Sequence, residues 1–202
     1  MMTLNDLKER MNERIKTVFE QAIENPSMKW FERMEYLLQG GSFVPKKLAT
    51  GFLGIYKKEI LGGRDNNNLL NTLGCSKEDV IALGKELLSP ENEDKIIYYI
   101  EEDTVQKYFN RYMEEGKYGD MLSDILFFIG YNTSGIIPSQ DTGFLSLIHS
   151  LIENNLDRIY NSYYKKKEEV EKELADEMDN DYDEGFDELE ESVKRHRKRL
   201  RF

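Results

Sequence analysis

The sequence predicts an all-α domain, about residues 1–164, followed by a charge-segregated tail, residues 165–202. Three observations carry this. Apolar residues recur at helical spacing through most of the first 164 positions. Ser, Thr and Asp precede these runs while Gly and Pro follow them, which is how helices are capped and stopped. No run alternates apolar and polar residues as a half-buried strand does, although a short ribbon near Ser42–Val44 or Ile136–Ile137 stays open.

The elements follow in order. Thr3 and Asp6 are spaced as a capping box, and Leu4, Leu7, Met11, Ile15, Val18, Ala22 and Ile23 then form one apolar face. Asn25-Pro26 ends that helix, and Ser27 caps a second with Trp30, Phe31, Met34, Leu37 and Leu38. Gly40-Gly41 and Gly62-Gly63 bracket a third, opened by Pro45, whose fixed φ suits a first helical turn. Leu48, Phe52, Ile55, Tyr56 and Ile60 are its apolar face. Leu69, Leu70 and Leu73 make a short helix ended by Gly74. Ser76 caps Lys77–Leu88, and Ser89-Pro90 opens a helix through Ile96, Ile97 and Ile100. Asp103 caps Thr104–Glu115, with Val105, Tyr108, Phe109 and Tyr112 inward. Asp120–Ile129 is the most apolar stretch and so the expected central helix. After the loop Gly130–Gly143, one long helix is expected through Leu145, Ile148, Leu151, Ile152, Leu156, Ile159 and Tyr163.

Charge and cysteine content narrow the function. Net charge is −11 over 202 residues, so the surface as a whole repels phosphate. Cys75 is the only cysteine, which excludes an internal disulfide and a cysteine-based zinc site. The start, MMTLNDLKER, shows no apolar signal segment, and Met121–Ile129 falls far short of the roughly 20 apolar residues of a membrane span. The chain reads as cytoplasmic and without a membrane role. The abundance of Asn, Lys, Ile and Tyr fits an AT-rich genome, phages included.

Three features could carry function. The first is the layout of Leu69–Leu88, a helix, a tight turn at Gly74 and a second helix, as in a helix-turn-helix. Its second helix begins Lys77-Glu78-Asp79, and those carboxylates would face phosphates. A nucleic-acid reading rests on Lys77 and Lys85, and the alternative is a structural helical hairpin. The second is Asp179–Glu190, which resembles the calcium loop of the EF-hand family over twelve residues. The resemblance implies ligands from Asp179, Asp181, Asp183, the Gly185 carbonyl, Asp187 and Glu190. At the sixth place, where the family has Gly, stands Glu184. Calcium is the only cofactor the sequence suggests.

The third feature is the tail itself. Val170, Leu174, Met178, Tyr182, Phe186, Leu189 and Val193 follow spacings of four and three, an apolar stripe for docking on a partner. The Asp/Asn cluster at 179–183 and Gly185 should interrupt its helix. Carboxylates dominate residues 168–191. Lys194, Arg195, Arg197, Lys198 and Arg199 then form a basic end suited to nucleic acid or an acidic protein. Catalysis has no signature: the only histidines are His149 and His196, and no nucleophile-elbow or phosphate-loop pattern occurs. The reading is a non-enzymatic adaptor, regulator or inhibitor whose main partner is another protein. A self-associating assembly or scaffold-like component and a helix-turn-helix regulator are the alternatives.

Overall fold

A computed structural model describes residues 1–40, 44–63, 65–95, 102–131 and 143–199, and of 93–95, 102 and 178–199 the backbone course alone. Among these residues every regular element is helical. They are α1 (Leu4–Glu24), α2 (Met28–Gln39), α3 (Pro45–Leu61), α4 (Asn66–Leu73), α5 (Lys77–Leu87), a 3-10 turn Pro90–Lys95, α6 (Glu102–Glu115), α7 (Tyr118–Phe128), α8 (Gly143–Asn154) and α9 (Leu156–Arg199).

Local chemistry sets most of these ends. Thr3 and Asp6 form the reciprocal capping box at α1, and Ser76 and Asp79 form another at α5. The Ser27 hydroxyl accepts from the Trp30 N–H at the start of α2. Gly62 (φ 79°) and Gly74 (φ 61°) close α3 and α4 in the left-handed region, where a Cβ would be strained. Val44 precedes Pro45 as the cap of α3, with no side-chain bond of its own.

The helices form two packs joined by α1. In one, α7 lies against α4, α5 and α6; in the other, α3 packs on α2 and α8, and α9 on α2 and α8. The first helix, α1, touches both, through α4 and α5 on one side and α3, α8 and α9 on the other. It buries Leu4, Leu7, Met11, Ile15, Val18, Phe19, Ala22 and Ile23. The expected central helix, α7, is indeed deeply buried through Met121, Leu122, Ile125 and Leu126, but α1 reaches both packs, which also meet directly where α3 touches α4.

Three expectations of element bounds need correction, and one lies outside the described residues. The segment after Ser89-Pro90 is a 3-10 turn to Lys95, and Ile96, Ile97 and Ile100 lie outside the described residues. Asn92 is buried there and donates to the Glu86 carbonyl and the Ser89 hydroxyl, which satisfies the end of α5. The sixth helix starts at Glu102, so Asp103 sits inside it and is not its cap. Loop residues 132–142, with Ile136 and Ile137, and Ser42 on the proposed ribbon also lie outside the description.

The last correction concerns the long helix expected from Leu145 onward, which is two helices. Asn155 separates them. Its side-chain amide donates to the Leu151 carbonyl, and its N–H turns to Ile152, a tighter i−3 bond. A side chain that competes for a backbone carbonyl is the local cause of the break.

Candidate interaction surfaces

The base of α9 is fixed to the body at several points. Arg158 pairs with Glu20 at 2.5 Å, and that guanidinium holds the Glu20 carboxyl below its usual range. The Ser162 hydroxyl donates to the Ile23 carbonyl at 2.5 Å. Tyr163 is buried and stacks on Phe31, ring centroids 5.3 Å apart, while Tyr164 beside it is 57% exposed. Neighbours along one helix point about 100° apart, so adjacent tyrosines such as these cannot share one core. Tyr98-Tyr99 lies outside the described residues.

Beyond that base the helix leaves the core. Val170 is half-buried and is the last residue of α9 packed on the core among the described side chains. Residues 171–177 are all exposed, and Leu174 keeps 55% of its surface in water. The stripe therefore divides: Val170 completes the core, and Leu174 stands in solvent. The side chains of Met178, Tyr182, Phe186, Leu189 and Val193 lie outside the description, as do those of the basic cluster Lys194, Arg195, Arg197, Lys198 and Arg199. Lys166–Glu169 (3.2 Å) and Lys167–Glu171 (3.9 Å) pair along the exposed surface. Such pairs contribute about 0–1 kcal/mol each.

The expected interruption at residues 179–185 does not occur, because α9 runs unbroken to Arg199. A helix already nucleated by a docked base propagates through single unfavourable residues, and one Gly costs only about 1 kcal/mol relative to Ala. Asp179, Asp181, Asp183, Gly185, Asp187 and Glu190 thus share a helical backbone, whereas an EF-hand loop curls its ligands round one ion. Their side chains lie outside the described residues. Among the described residues no three His, Cys, Asp or Glu side chains gather as a metal site.

The Leu69–Leu88 unit has the helix–turn–helix backbone, and the structure shows what its polar groups touch. Asp79 accepts from the Met2 N–H at 3.0 Å, and Glu86 accepts from the Leu4 N–H at 3.0 Å. Two carboxylates of α5 thereby satisfy donors at the start of α1. Arg10 returns the contact, donating to the carbonyls of Leu73 and Gly74 at 2.8 Å each. Lys77 lies 5.5 Å from the centre of the Tyr118 ring, a cation–π contact within the fold. Lys85 is exposed near the end of α5, with the basic charge that complements a helix C-terminus. These contacts serve a hairpin that clamps the start of α1.

The clamp predicts a pH dependence. Hydrogen bonds from the Ser76 side chain, then from the Met2 and Ser76 N–H groups, lower the Asp79 carboxyl below 3.8. A depressed carboxyl contributes stability that is present above its unfolded value and is lost as pH falls through its folded value. Urea midpoints of Asp79→Asn should therefore fall less between pH 5 and pH 3 than those of the unchanged chain, as far as this carboxyl contributes. Equal acid sensitivity would exclude the clamp as the source.

Cys75 closes the same corner. It is buried with its sulfur 3.5 Å from the Met2 sulfur, and burial pushes its thiol up to about 11. A thiol so raised holds little thiolate near neutrality. Iodoacetamide at pH 8 should label it slowly in the native chain and fast in urea, read by mass spectrometry. Fast native labelling would show the corner to be open.

Other polar groups pair within the fold. The Tyr112 hydroxyl donates to Asp124 at 2.9 Å; burial raises both groups, Tyr112 up to about 12. His149 sits 3.6 Å from Glu153 one turn on, at the surface of α8. An open groove of about 630 Å³ runs between α1 and α4, lined by Asp6, Glu9 and Glu13 beside Arg10 and Arg14. Mixed charge of this kind gives no preference for an anion or a cation.

No protein family, curated protein sequence or solved structure matches the chain.

Proposed function

We propose that this chain is a non-enzymatic interaction protein, an adaptor, regulator or inhibitor acting in the cytoplasm, that engages another protein through its helical surface and α9. The observation that supports this most is the 44-residue α9, whose described side chains pass from packed at Val170 to wholly exposed at 171–177. A helix anchored at one end and exposed over its next described turns is suited to a helix-in-groove or coiled contact. Among the described residues no helix is long and apolar enough to cross a membrane. The helix-turn-helix reading keeps its backbone layout, yet Lys77 already rests on Tyr118, which leaves it less free for phosphate.

The test is an affinity capture from lysate, with and without nuclease. The full chain would be run beside a variant carrying Leu174→Glu, Tyr182→Glu and Phe186→Glu. A nuclease-resistant protein partner lost with the variant is the expected result. A catch that disappears with nuclease would overturn the reading in favour of nucleic acid.

A further inference from the structure

The solvent face of α3 differs from the rest of this acidic molecule. Lys46, Lys47, Thr50, Gly54 and Lys58 are exposed there, with Lys57 half-buried beside them. Eleven residues close about three helical turns, so Lys46 lines up with Lys57, and Lys47 with Lys58. The two lysine pairs stand about 16 Å apart along the axis. Between them the exposed residues are small, Thr50 and Gly54, with half-buried Leu53 along one edge and Gly51 along the other. A Cβ added at Gly54 would meet nothing within 4 Å. Arg33 from α2 lies over Gly51, its Nε 2.9 Å from where a Cβ would stand, and that Nε is buried without a hydrogen bond.

These five cations have no carboxylate partner among the described residues. None of them forms a salt bridge there. The one carboxylate of α3, Glu59, lies about 100° round the helix from Lys58. Burial lowers Lys57 from its usual value, and no neighbouring acid counters that. The result is a helix face, here called the saddle, with small residues at its middle and positive charge at both ends.

We propose that this saddle receives the acidic segment 168–191 of a second copy of the chain, laid across it as a helix. The segment has fourteen carboxylates against one lysine, Lys172. A helix is about 10–12 Å across with its side chains, which fits between lysine pairs about 16 Å apart and offers carboxylates to both. The small residues Thr50 and Gly54 at its middle let it approach closely. Within one chain, α2 packs against both α3 and α9, and residues 171–177 extend exposed from the body, so the pairing joins two copies. Exchanged reciprocally, it makes a self-complementary dimer. Nucleic acid is the less favoured occupant, since the same segment and the net charge of −11 repel it. The inference rests on reading α9 as an interaction element and adds a receiving surface and a partner.

A fluorescent peptide of residues 168–193 would be titrated into the full chain and into a variant with Lys46→Glu, Lys47→Glu and Lys58→Glu, three exposed positions. Far-UV circular dichroism would confirm that the variant is folded. The expected result is saturable binding at low salt, weakened about tenfold or more in the variant and by high salt, as for exposed charge pairs. The unchanged chain should also self-associate in sedimentation while the variant stays monomeric. Equal peptide affinity for the folded variant would overturn the proposal. So would a peptide that fails to bind while a single-stranded oligonucleotide binds through the same lysines. A lysate partner captured through α9 with no peptide binding would leave the broader reading standing and remove this one.

Discussion

Replacing Gly119 with alanine should destabilise the fold by about 2–4 kcal/mol, at or above the usual cost of overpacking a core. A Cβ there would stand 2.3 Å from the Asn66 carbonyl oxygen, 2.5 Å from its carbon and 2.8 Å from the Asn67 nitrogen. These are backbone atoms at the start of α4, and they cannot swing aside as a side-chain end can. The same junction carries a bond from the Asn66 amide to Asp120 at 2.7 Å, so a forced separation loses that as well. Gly84 offers a contrast, because the nearest atom to its added Cβ is the mobile methyl of Met121 at 2.4 Å, with the Phe109 ring next at 3.2 Å. Its alanine variant should cost less. Urea unfolding of the two variants, at unchanged slope, would decide the matter. A Gly119→Ala midpoint equal to that of the unchanged chain would mean that α4 and α7 do not approach so closely.

Trp30→Ala should cost about 3–5 kcal/mol, the range for emptying a large aromatic site. Trp30 is 1% exposed and meets Phe52 edge-on at 5.5 Å and Tyr56 at 6.3 Å between ring centres. Phe52 in turn touches Phe19 at 5.5 Å and Tyr56 at 4.7 Å. The cluster thus ties α1, α2 and α3 together, and the Tyr56 hydroxyl reaches the Ser27 cap at 3.0 Å. Removing the indole strips the ring contacts of α2 with α3 and leaves Phe52, which also packs on Phe19 of α1, without its edge-on neighbour. The chain has no other tryptophan, so unfolding of the variant should be followed by circular dichroism. Tyr36→Ala, at a site 70% exposed, should stay within about 0.5 kcal/mol and serves as the control. Similar losses at both sites would contradict the burial.

The fold was legible where the rules are local. Thr3 with Asp6, Ser76 with Asp79, and the glycines at 62 and 74 mark helix ends whatever surrounds them. The break at Asn155 was not legible, since the apolar rhythm of Ile148, Ile152, Leu156 and Ile159 continues across it and all but Leu156 are buried. The clamp on α1 was hidden for another reason. Asp79 and Glu86 reach donors 77 and 82 positions away, a pairing that no local spacing encodes. Of the interaction surfaces, the tail announced itself by charge blocks. The lysine face of α3 went unread because attention to periodicity favours the apolar side of a helix. Its signal, Lys-Lys repeated after eleven residues around small ones, is visible once the solvent side is read too.

The placement of α1 and α3 has a consequence for biosynthesis. Both helices complete their burial against α8, which follows the end of α3 by about 80 residues. A chain made at roughly 5–20 residues per second leaves α1 and α3 without that cover for on the order of ten seconds. During that interval apolar side chains such as Phe19 and Phe52, fully buried in the finished fold, await part of their covering. Until α8 emerges, the nascent chain therefore carries apolar surface that the finished fold hides. Slow codons between residues 62 and 143 would lengthen the exposure, and faster ones would shorten it.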